Sequence, residues 1–192
     1  MEISPNEAEE SLAAISSMKK RMRNAVANGG AYYFLIIWGV IWFLGFLGSY
    51  FLAEKSAGYV WMVLDILGGL GSWGLGLWLS RRVRNASVSA TSGRIGLFWL
   101  ALFAYCALTV WIAWPVDGRQ LAMFFVIFAM LGWIAMGFLL SYSLVRLALF
   151  VTALAFGSYY LLPNYFYLCM AFLGGGTMIG SGLYIRFKWR QS

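Results

Sequence analysis

Asp65 is an acidic side chain inside an otherwise apolar stretch of sequence, WMVLDILGGLGSWGLGLW (61–78). A stretch of this length and composition is typical of a membrane span. A carboxylate near the centre of a bilayer costs about 2.5–3.5 kcal/mol on insertion scales, so such residues usually face a protein interior and have a function. We therefore expect Asp65 to face the interior of a helical bundle, as a ligand or proton site. The alternative is a structural role, with Asp65 protonated or hydrogen-bonded to a neighbouring span.

Small residues accompany Asp65 along its predicted helix. Gly68, Gly69, Ser72 and Gly76 follow at positions i+3, i+4, i+7 and i+11, a spacing that places them on the same face. Glycines beside the carboxylate leave room either for a close helix contact or for a cavity. The spacing therefore predicts a ligand site that Asp65, Gly69 and Ser72 line.

Four tryptophans are predicted to lie near the middle of the membrane rather than at its interfaces: Trp38, Trp42, Trp73 and Trp133. Indole rings near an acid would suit an organic cation, through ion pairing and cation–π contact. The rings could equally fill space between helices or face lipid. The predicted ligand-binding set consists of Asp65, Gly69, Ser72, Trp73, Trp38, Trp42 and Trp133.

The residue types argue against enzymatic chemistry. The chain has no histidine, which disfavours the usual haem and zinc ligation and histidine proton shuttles. Its two cysteines, Cys106 and Cys169, fall within predicted spans, where small apolar packing residues are more common than a disulfide or a metal pair. The predicted spans also lack an acidic pair. We therefore predict no catalytic residues, no metal site and no cofactor.

The composition indicates an integral membrane protein. Of the 192 residues, 62% are hydrophobic and 11% charged, and the mean hydropathy is +0.76, which lies outside the range of soluble domains. Six stretches predict an all-α membrane protein with transmembrane helices at about 31–52, 58–80, 95–115, 120–140, 143–162 and 164–185. The predicted organisation is a cytoplasmic or interfacial helix (1–30), a six-helix transmembrane domain (31–186) and a cytoplasmic tail (187–192).

The basic residues predict the orientation of the chain. All 14 Lys and Arg residues except Lys55 and Arg119 fall on the side of both termini. The positive-inside rule places that side in the cytoplasm. The net charge of +7 then reflects topology and contact with anionic inner-leaflet lipids, and nucleic acid is not an expected partner.

The segment SPNEAEESLAAISSMKKRMRNAVAN (4–28) predicts an amphipathic amino-terminal helix. Ser4 can cap it, Pro5 suits the first helical position, and Glu7 stands at capping-box spacing. Apolar side chains then recur every three to four residues. The helix either lies on the inner leaflet or binds a cytoplasmic partner, and the pattern leaves both interpretations open.

The second predicted span aligns without gaps with the sixth. YVWMVLDILGGLGSWGLGLWLSR (59–81) matches YFYLCMAFLGGGTMIGSGLYIRF (165–187) at four glycine positions. The alignment, with a weaker match in the middle pair, predicts three repeated helical hairpins. Glycine-rich spans also resemble one another by chance. Asp65 aligns with Ala171, so the repeat is broken at the charge.

The glycines also predict where helices approach one another. Gly176 and Gly180 form a GxxxG pair, and Ser72 and Gly76 form a small-xxx-small pair. We expect Gly68, Gly76, Gly176 and Gly180 to mediate helix packing. A homo-oligomer formed through these faces is an alternative, and it would turn the predicted cavity into an interface.

The stretch EAEESLAAISSMKKRMRNAVANGGAYYFLIIWGVIWFLGFLGS (7–49) resembles uncharacterised small bacterial six-helix integral membrane proteins. The likeness rests on the acidic-to-basic helix, the Gly-Gly stop and a WGVIWFLGF-type first span. The resemblance implies that the protein is located in a prokaryotic plasma membrane, and it does not indicate an activity.

These patterns together predict a non-enzymatic, multi-pass membrane protein that binds or transports a small cationic or apolar solute. Asp65 would be the counter-charge or the proton acceptor. The alternative function is an accessory or sensory subunit that does not transport and acts through its amino-terminal helix.

Overall fold

The computed structural model describes residues 30–82, 86–140 and 142–188, and over these residues it is helical without any strand. The α-helices are α1 (Ala31–Phe51), α2 (Glu54–Arg82), α3 (Ala86–Ala113), α4 (Gly118–Leu140), α5 (Tyr142–Leu161), α6 (Phe166–Cys169) and α7 (Gly176–Lys188). A 3-10 turn (Pro163–Tyr165) precedes α6, and a π-helical segment (Met170–Gly175) joins α6 to α7. The predicted amino-terminal helix lies outside the described residues.

Six helical stretches are long and apolar enough to cross a membrane, which confirms the predicted all-α, six-span architecture of a multi-pass membrane protein. They are Tyr32–Phe51, Glu54–Leu79, Arg94–Ala113, Gly118–Phe138, Tyr142–Leu161 and Pro163–Phe187. The second and third helices are longer than their predicted spans, at 29 and 28 residues. Their extra turns carry charged or polar residues at the ends, where an apolar window stops but a helix can continue into water.

The spans are arranged in sequence order, and the last returns to the first. Each of α1 to α4 contacts the next helix along the chain, and α5 contacts α6 and the π-helical segment. The π-helical segment and α7 then pack against α1. Contacts between α2 and α3 are sparse. The hairpin repeat stays a prediction from the sequence.

The buried core belongs to the first, fourth, fifth and sixth spans. Leu35, Met130, Val151 and Met178 are at most 2% exposed and represent these four spans in turn. Between 33% and 39% of each of these spans is buried, but only 6% of the second and 6% of the third. The second and third spans therefore form a peripheral pair attached to a four-span core.

A close backbone contact joins the first span to the sixth. A Cβ added at Gly175 would lie 2.8 Å from the backbone nitrogen of Phe43 and 2.9 Å from the carbonyl oxygen of Gly39. One at Gly39 would lie 2.9 Å from the backbone nitrogen of Ile179. Further along, a Cβ at Gly182 would lie 3.0 Å from the carbonyl oxygen of Tyr32. The two backbones touch because Gly39, Gly175 and Gly182 place no side chain between the helices, and small residues of this kind permit tight packing in membranes.

Of the four glycines predicted to pack helices, Gly68 contacts α1, and a Cβ there would clash with Ile41 Cδ1. A Cβ at Gly76, Gly176 or Gly180 would meet nothing within 4 Å. At these three glycines no other helix of the described residues lies where a side chain would be, and a contact with another chain stays a prediction. The face of the sixth span toward α1 is instead marked by Gly175 and Gly182, two turns apart.

Gly175→Ala should destabilise the protein, while Gly176→Ala, one residue later, should not. The new methyl at residue 175 meets rigid backbone, and such overpacking costs about 1–3 kcal/mol. At residue 176 the methyl enters open space, and alanine is the better helix former by about 0.5–1 kcal/mol. Thermal unfolding of both purified variants in detergent tests the difference. Equal melting temperatures would show that the first and sixth spans do not depend on this contact.

Candidate functional site

The second span is fixed to the first by one face of α2. Ala57, Trp61, Leu64 and Gly68 follow each other at intervals of three or four residues and are the most covered positions in this half of the helix. Such spacing keeps side chains on one side of a helix. The rest of α2 is largely exposed because it has few neighbours.

Trp61 provides the main attachment. Its indole Nε1 donates a hydrogen bond to Ser49 Oγ at 2.8 Å, and Ser49 Oγ donates to the Gly45 carbonyl oxygen at 3.0 Å. The ring lies over Gly45, so that a Cβ there would be 2.7 Å from ring atoms. It also meets Phe46 edge-on, with ring centroids 5.0 Å apart. These contacts fix the rotation of α2, and therefore the direction of Asp65.

Asp65 lies on the exposed surface of α2 and makes no hydrogen bond or ion pair with the described residues. The prediction that it faces the interior of the bundle is therefore wrong for this chain taken singly. The physical reason is the register of the helix. Gly68 faces α1, and Asp65, three residues earlier, is rotated by about 60° from that line at 3.6 residues per turn.

The surface beside Asp65 is open. A Cβ added at Gly58, Gly69 or Gly76 would meet nothing within 4 Å. Trp73, eight residues after Asp65, is 68% exposed. We call the surface formed by Asp65, Gly58, Gly69, Ser72 and Gly76 the Asp65 face.

Ser72 is the polar neighbour of this carboxylate on the helix. Its Oγ is buried and has no hydrogen-bond partner among the described residues. A buried hydroxyl without a partner is unusual in folded proteins and calls for an explanation. Because this oxygen is buried, it is not exposed on the surface beside Asp65.

The predicted tryptophans do not gather around Asp65. Trp38 touches α2 through Gly68, where ring atoms lie 3.5 Å and 3.6 Å from an added Cβ. Trp42 is 7% exposed and meets Phe46 edge-on at 5.6 Å, inside the core. Trp133 meets Trp99 of α3 at 5.9 Å. The structure thus places Asp65, Gly69 and Ser72 on one side of α2, with Trp73 about 12 Å along the helix from Asp65. Trp38 contacts α2 at Gly68, and Trp42 and Trp133 lie away from the carboxylate.

A space between the described residues of the four central spans is too small to admit a water molecule. Its lining is entirely apolar and consists of Leu35, Met130, Trp133, Leu147, Ala148, Val151 and Met178. This space therefore cannot hold a solute in the packing that the structure shows.

Polar residues also meet where three of the inter-helix connections lie, which we call the Glu54 end. A Cβ added at Gly118 would lie 3.1 Å from Glu54 Oε1 and 3.3 Å from the Tyr167 hydroxyl. The charges of Asp117, Arg119 and Glu54 all act on that hydroxyl. Sequence reasoning missed this group because its members come from the ends of three different spans.

One feature of the Glu54 end, a helix cap, can be recognised from the sequence. Asp117 and Gln120 form a capping box at the start of α4, because Asp117 Oδ1 accepts the Gln120 N–H at 2.8 Å and Gln120 Oε1 accepts the Asp117 N–H at 3.3 Å. The D-x-x-Q spacing is a variant of the usual pattern. It fixes the start of α4, and Arg119 then lies over the Tyr159 ring at 5.9 Å.

The architecture defines the class as a six-span helical membrane protein. Comparison of the chain with models of protein families, with curated proteins and with solved structures found no match. The resemblance of residues 7–49 to small bacterial membrane proteins stays an expectation from the sequence. Function must therefore be argued from the site.

Asp65→Asn should leave the stability of the protein unchanged, whereas Asp117→Ala should lower it. The Asp65 carboxylate has no partner in the described chain, but Asp117 caps α4, and loss of a cap costs about 1 kcal/mol. The two melting temperatures, measured in the same detergent without added cations, test this. A fall for Asp65→Asn as large as for Asp117→Ala would indicate a structural role for Asp65.

Proposed function

We propose that this protein binds a small, apolar-bodied cation at Asp65 within the membrane, as a non-enzymatic binding or transport protein. The observation that carries the proposal is the carboxylate itself, exposed in the middle of an apolar span and without a partner among the described residues. A group this costly in lipid usually serves a function.

The energetics favour a cation as the ligand. A carboxylate surrounded by lipid has lost its hydration, and an ion pair restores much of the lost free energy because the local dielectric constant is low. A cation with an apolar body is concentrated in the bilayer and can reach the exposed surface of α2 from the side. Trp73, about 12 Å further along α2, is exposed and would add a cation–π contact to a ligand long enough to reach it.

The Asp65 face also has room for such a ligand. Gly69, one turn after Asp65, and Gly58, two turns before it, have open space above them. An apolar ligand body could lie against these small residues while its charge meets the carboxylate. A ligand held at one site in the bilayer must leave toward either side of the membrane for transport to occur.

The distribution of charge supports a plasma-membrane location with both termini in the cytoplasm. Of the described basic residues, Arg81, Arg82, Arg94, Arg146 and Arg186 lie at span ends on the side of the termini, opposite the Glu54 end. The positive-inside rule assigns that side to the cytoplasm, and anionic lipids would meet it there. The prokaryotic origin rests on the resemblance of residues 7–49.

A second candidate function is an accessory or sensory subunit that does not transport. The low burial of the second and third spans, 6% each, favours it, because exposed spans are available to another membrane protein. The amino-terminal segment 4–28 would then bind a cytoplasmic partner. Deletion of residues 1–28 would abolish that function, whereas Asp65→Asn would leave it intact.

Tetraphenylphosphonium should bind the purified protein saturably and change its tryptophan fluorescence. Asp65→Asn should weaken this binding by more than about tenfold, since loss of one partner of a desolvated charge pair costs about 2–5 kcal/mol. Asp65→Glu should retain binding, because it keeps the charge. Fluorescence titration of detergent-purified protein provides the measurement.

Glu54→Gln is the matched control for this experiment. It removes an acid from the same helix at the Glu54 end and should leave the affinity for tetraphenylphosphonium unchanged. Equal binding by wild type and Asp65→Asn would disprove a cation site at Asp65. Uptake of the cation into liposomes that contain the protein then separates transport from binding alone.

A further inference from the structure

We infer that the site at Asp65 exchanges its cation for a proton. While the site is empty, its carboxyl group holds one proton, and it releases that proton to water when the cation binds. The inference rests on the proposed function, since it names a second ligand of the same site. It makes pH the regulator of cation binding.

The carboxyl group lies in apolar surroundings. Asp65 is exposed near the middle of the span Glu54–Leu79, so that in a single chain it faces lipid. Its exposed neighbours along α2 include Met62, Val63 and Ile66, which offer no hydrogen-bond donor from their side chains. An ionised carboxylate would therefore find nothing on this surface to replace its hydration.

α2 itself supplies no counter-charge close to Asp65. Its other titratable groups are Glu54, Lys55, Tyr59, Arg81 and Arg82. Lys55 and Arg81, the nearest bases on either side, lie about 15 Å and 24 Å away along the axis at 1.5 Å per residue. The Glu54 end, where α2 meets two other spans, is about 16 Å away.

The neighbouring helices supply none either. α1 and α3 pack against α2, and their titratable groups are Tyr32, Tyr33, Tyr50, Arg94, Tyr105 and Cys106. None of these groups forms a hydrogen bond or an ion pair with Asp65. The described residues therefore leave the charge of the carboxylate uncompensated.

Electrical neutrality then links the proton to the cation. A lone ionised carboxylate is so unfavourable in an apolar medium that it takes up a proton instead. A cation beside the protonated acid would leave the site with an uncompensated positive charge, at a similar cost. Two neutral states remain, the protonated empty site and the ion pair of carboxylate and cation. The site therefore holds a proton or a cation, and not both.

The exchange balances without a further reactant. The O–H bond of the carboxyl group breaks, its electron pair stays on the carboxylate oxygen, and the proton passes to water. The cation is held by charge alone, and no covalent bond forms to it. One proton leaves for each cation that binds.

The affinity for the cation should therefore rise with pH. Where the empty carboxyl group is protonated, binding must displace the proton, and the affinity increases by about tenfold per pH unit. Where the empty group is already ionised, the affinity no longer depends on pH. The direction is fixed, because protons and the cation compete for the same oxygen atoms.

Isothermal titration calorimetry counts the released protons directly. Tetraphenylphosphonium is titrated into the detergent-purified full chain at about pH 5, in buffers with different enthalpies of ionisation. The slope of the observed enthalpy against the ionisation enthalpy should correspond to about one proton released per bound cation. Fluorescence titrations from about pH 5 to about pH 8 should show the matching rise in affinity.

Two variants assign the proton to its group. Glu54→Gln removes the other acid of α2 and should leave the proton release and the pH dependence unchanged. Asp65→Glu keeps the carboxyl group and should also release about one proton. If Glu54→Gln abolished the release, the proton would belong to the Glu54 end, and the exchange at Asp65 would be wrong.

The same titrations separate the exchange from the proposed function. Saturable binding that depends on Asp65, but releases no proton and has the same affinity at every pH, would overturn the exchange and leave the cation site standing. Absence of saturable binding across the whole pH range would overturn both.

Discussion

The close contact between the backbones of the first and sixth spans is the constraint on which the bundle depends. Lipid tails are as apolar as the side chains, so the hydrophobic effect does not drive membrane helices together. Attraction must come from many short contacts, and the backbones approach closely only where side chains are missing. Gly39 on α1 and Gly175 in the π-helical segment meet in this way, and Gly182 extends the contact toward Tyr32.

This contact explains the uneven burial of the six spans. Once the sixth span lies against the first, the fourth and fifth close the core from the other side through Met130 and Val151, which are at most 2% exposed. The second span is attached through Trp61 and Gly68, and the third through Trp99 over Gly132. Neither contributes to the main cluster of buried side chains. The candidate site therefore lies on a helix that the core orients but does not enclose.

The number and approximate position of the spans could be predicted from the sequence, because length and hydropathy decide whether a helix can cross a bilayer. The direction in which each helix faces could not. In water an apolar stripe marks the buried side of a helix. In lipid both sides of α2 are apolar, so residue type does not distinguish them. Leu64 is half-buried, whereas Leu70, with the same side chain, is exposed. The cost of a carboxylate in lipid predicts Asp65 inside the bundle, and depth alone groups Trp42 and Trp133 with it.

The GxxxG spacing does not identify the face of the sixth span that packs against α1, for a related reason. GxxxG identifies a smooth patch on a helix, and Gly176 and Gly180 do form one, but the neighbour of that span meets Gly175 and Gly182 instead. The π-helical segment before Gly176 changes the direction in which the following residues face, and the sequence gives no reliable sign of it. By contrast, the D-x-x-Q capping box at Asp117 joins residues that are close in sequence. Such a motif can be recognised without knowing which helices are neighbours.

The contact between α1 and the sixth span also has a consequence for synthesis. The first span cannot complete its packing until the sixth has been made, because the backbone that it contacts belongs to that later span. Structures dominated by contacts between distant parts of the sequence fold slowly, and chains fold in the order in which they emerge. Until the sixth span has been inserted, Gly39 and the surrounding surface of α1 face lipid or the insertion machinery. A chain truncated before the sixth span would lack this contact with α1, even if all of its earlier spans had been inserted into the membrane.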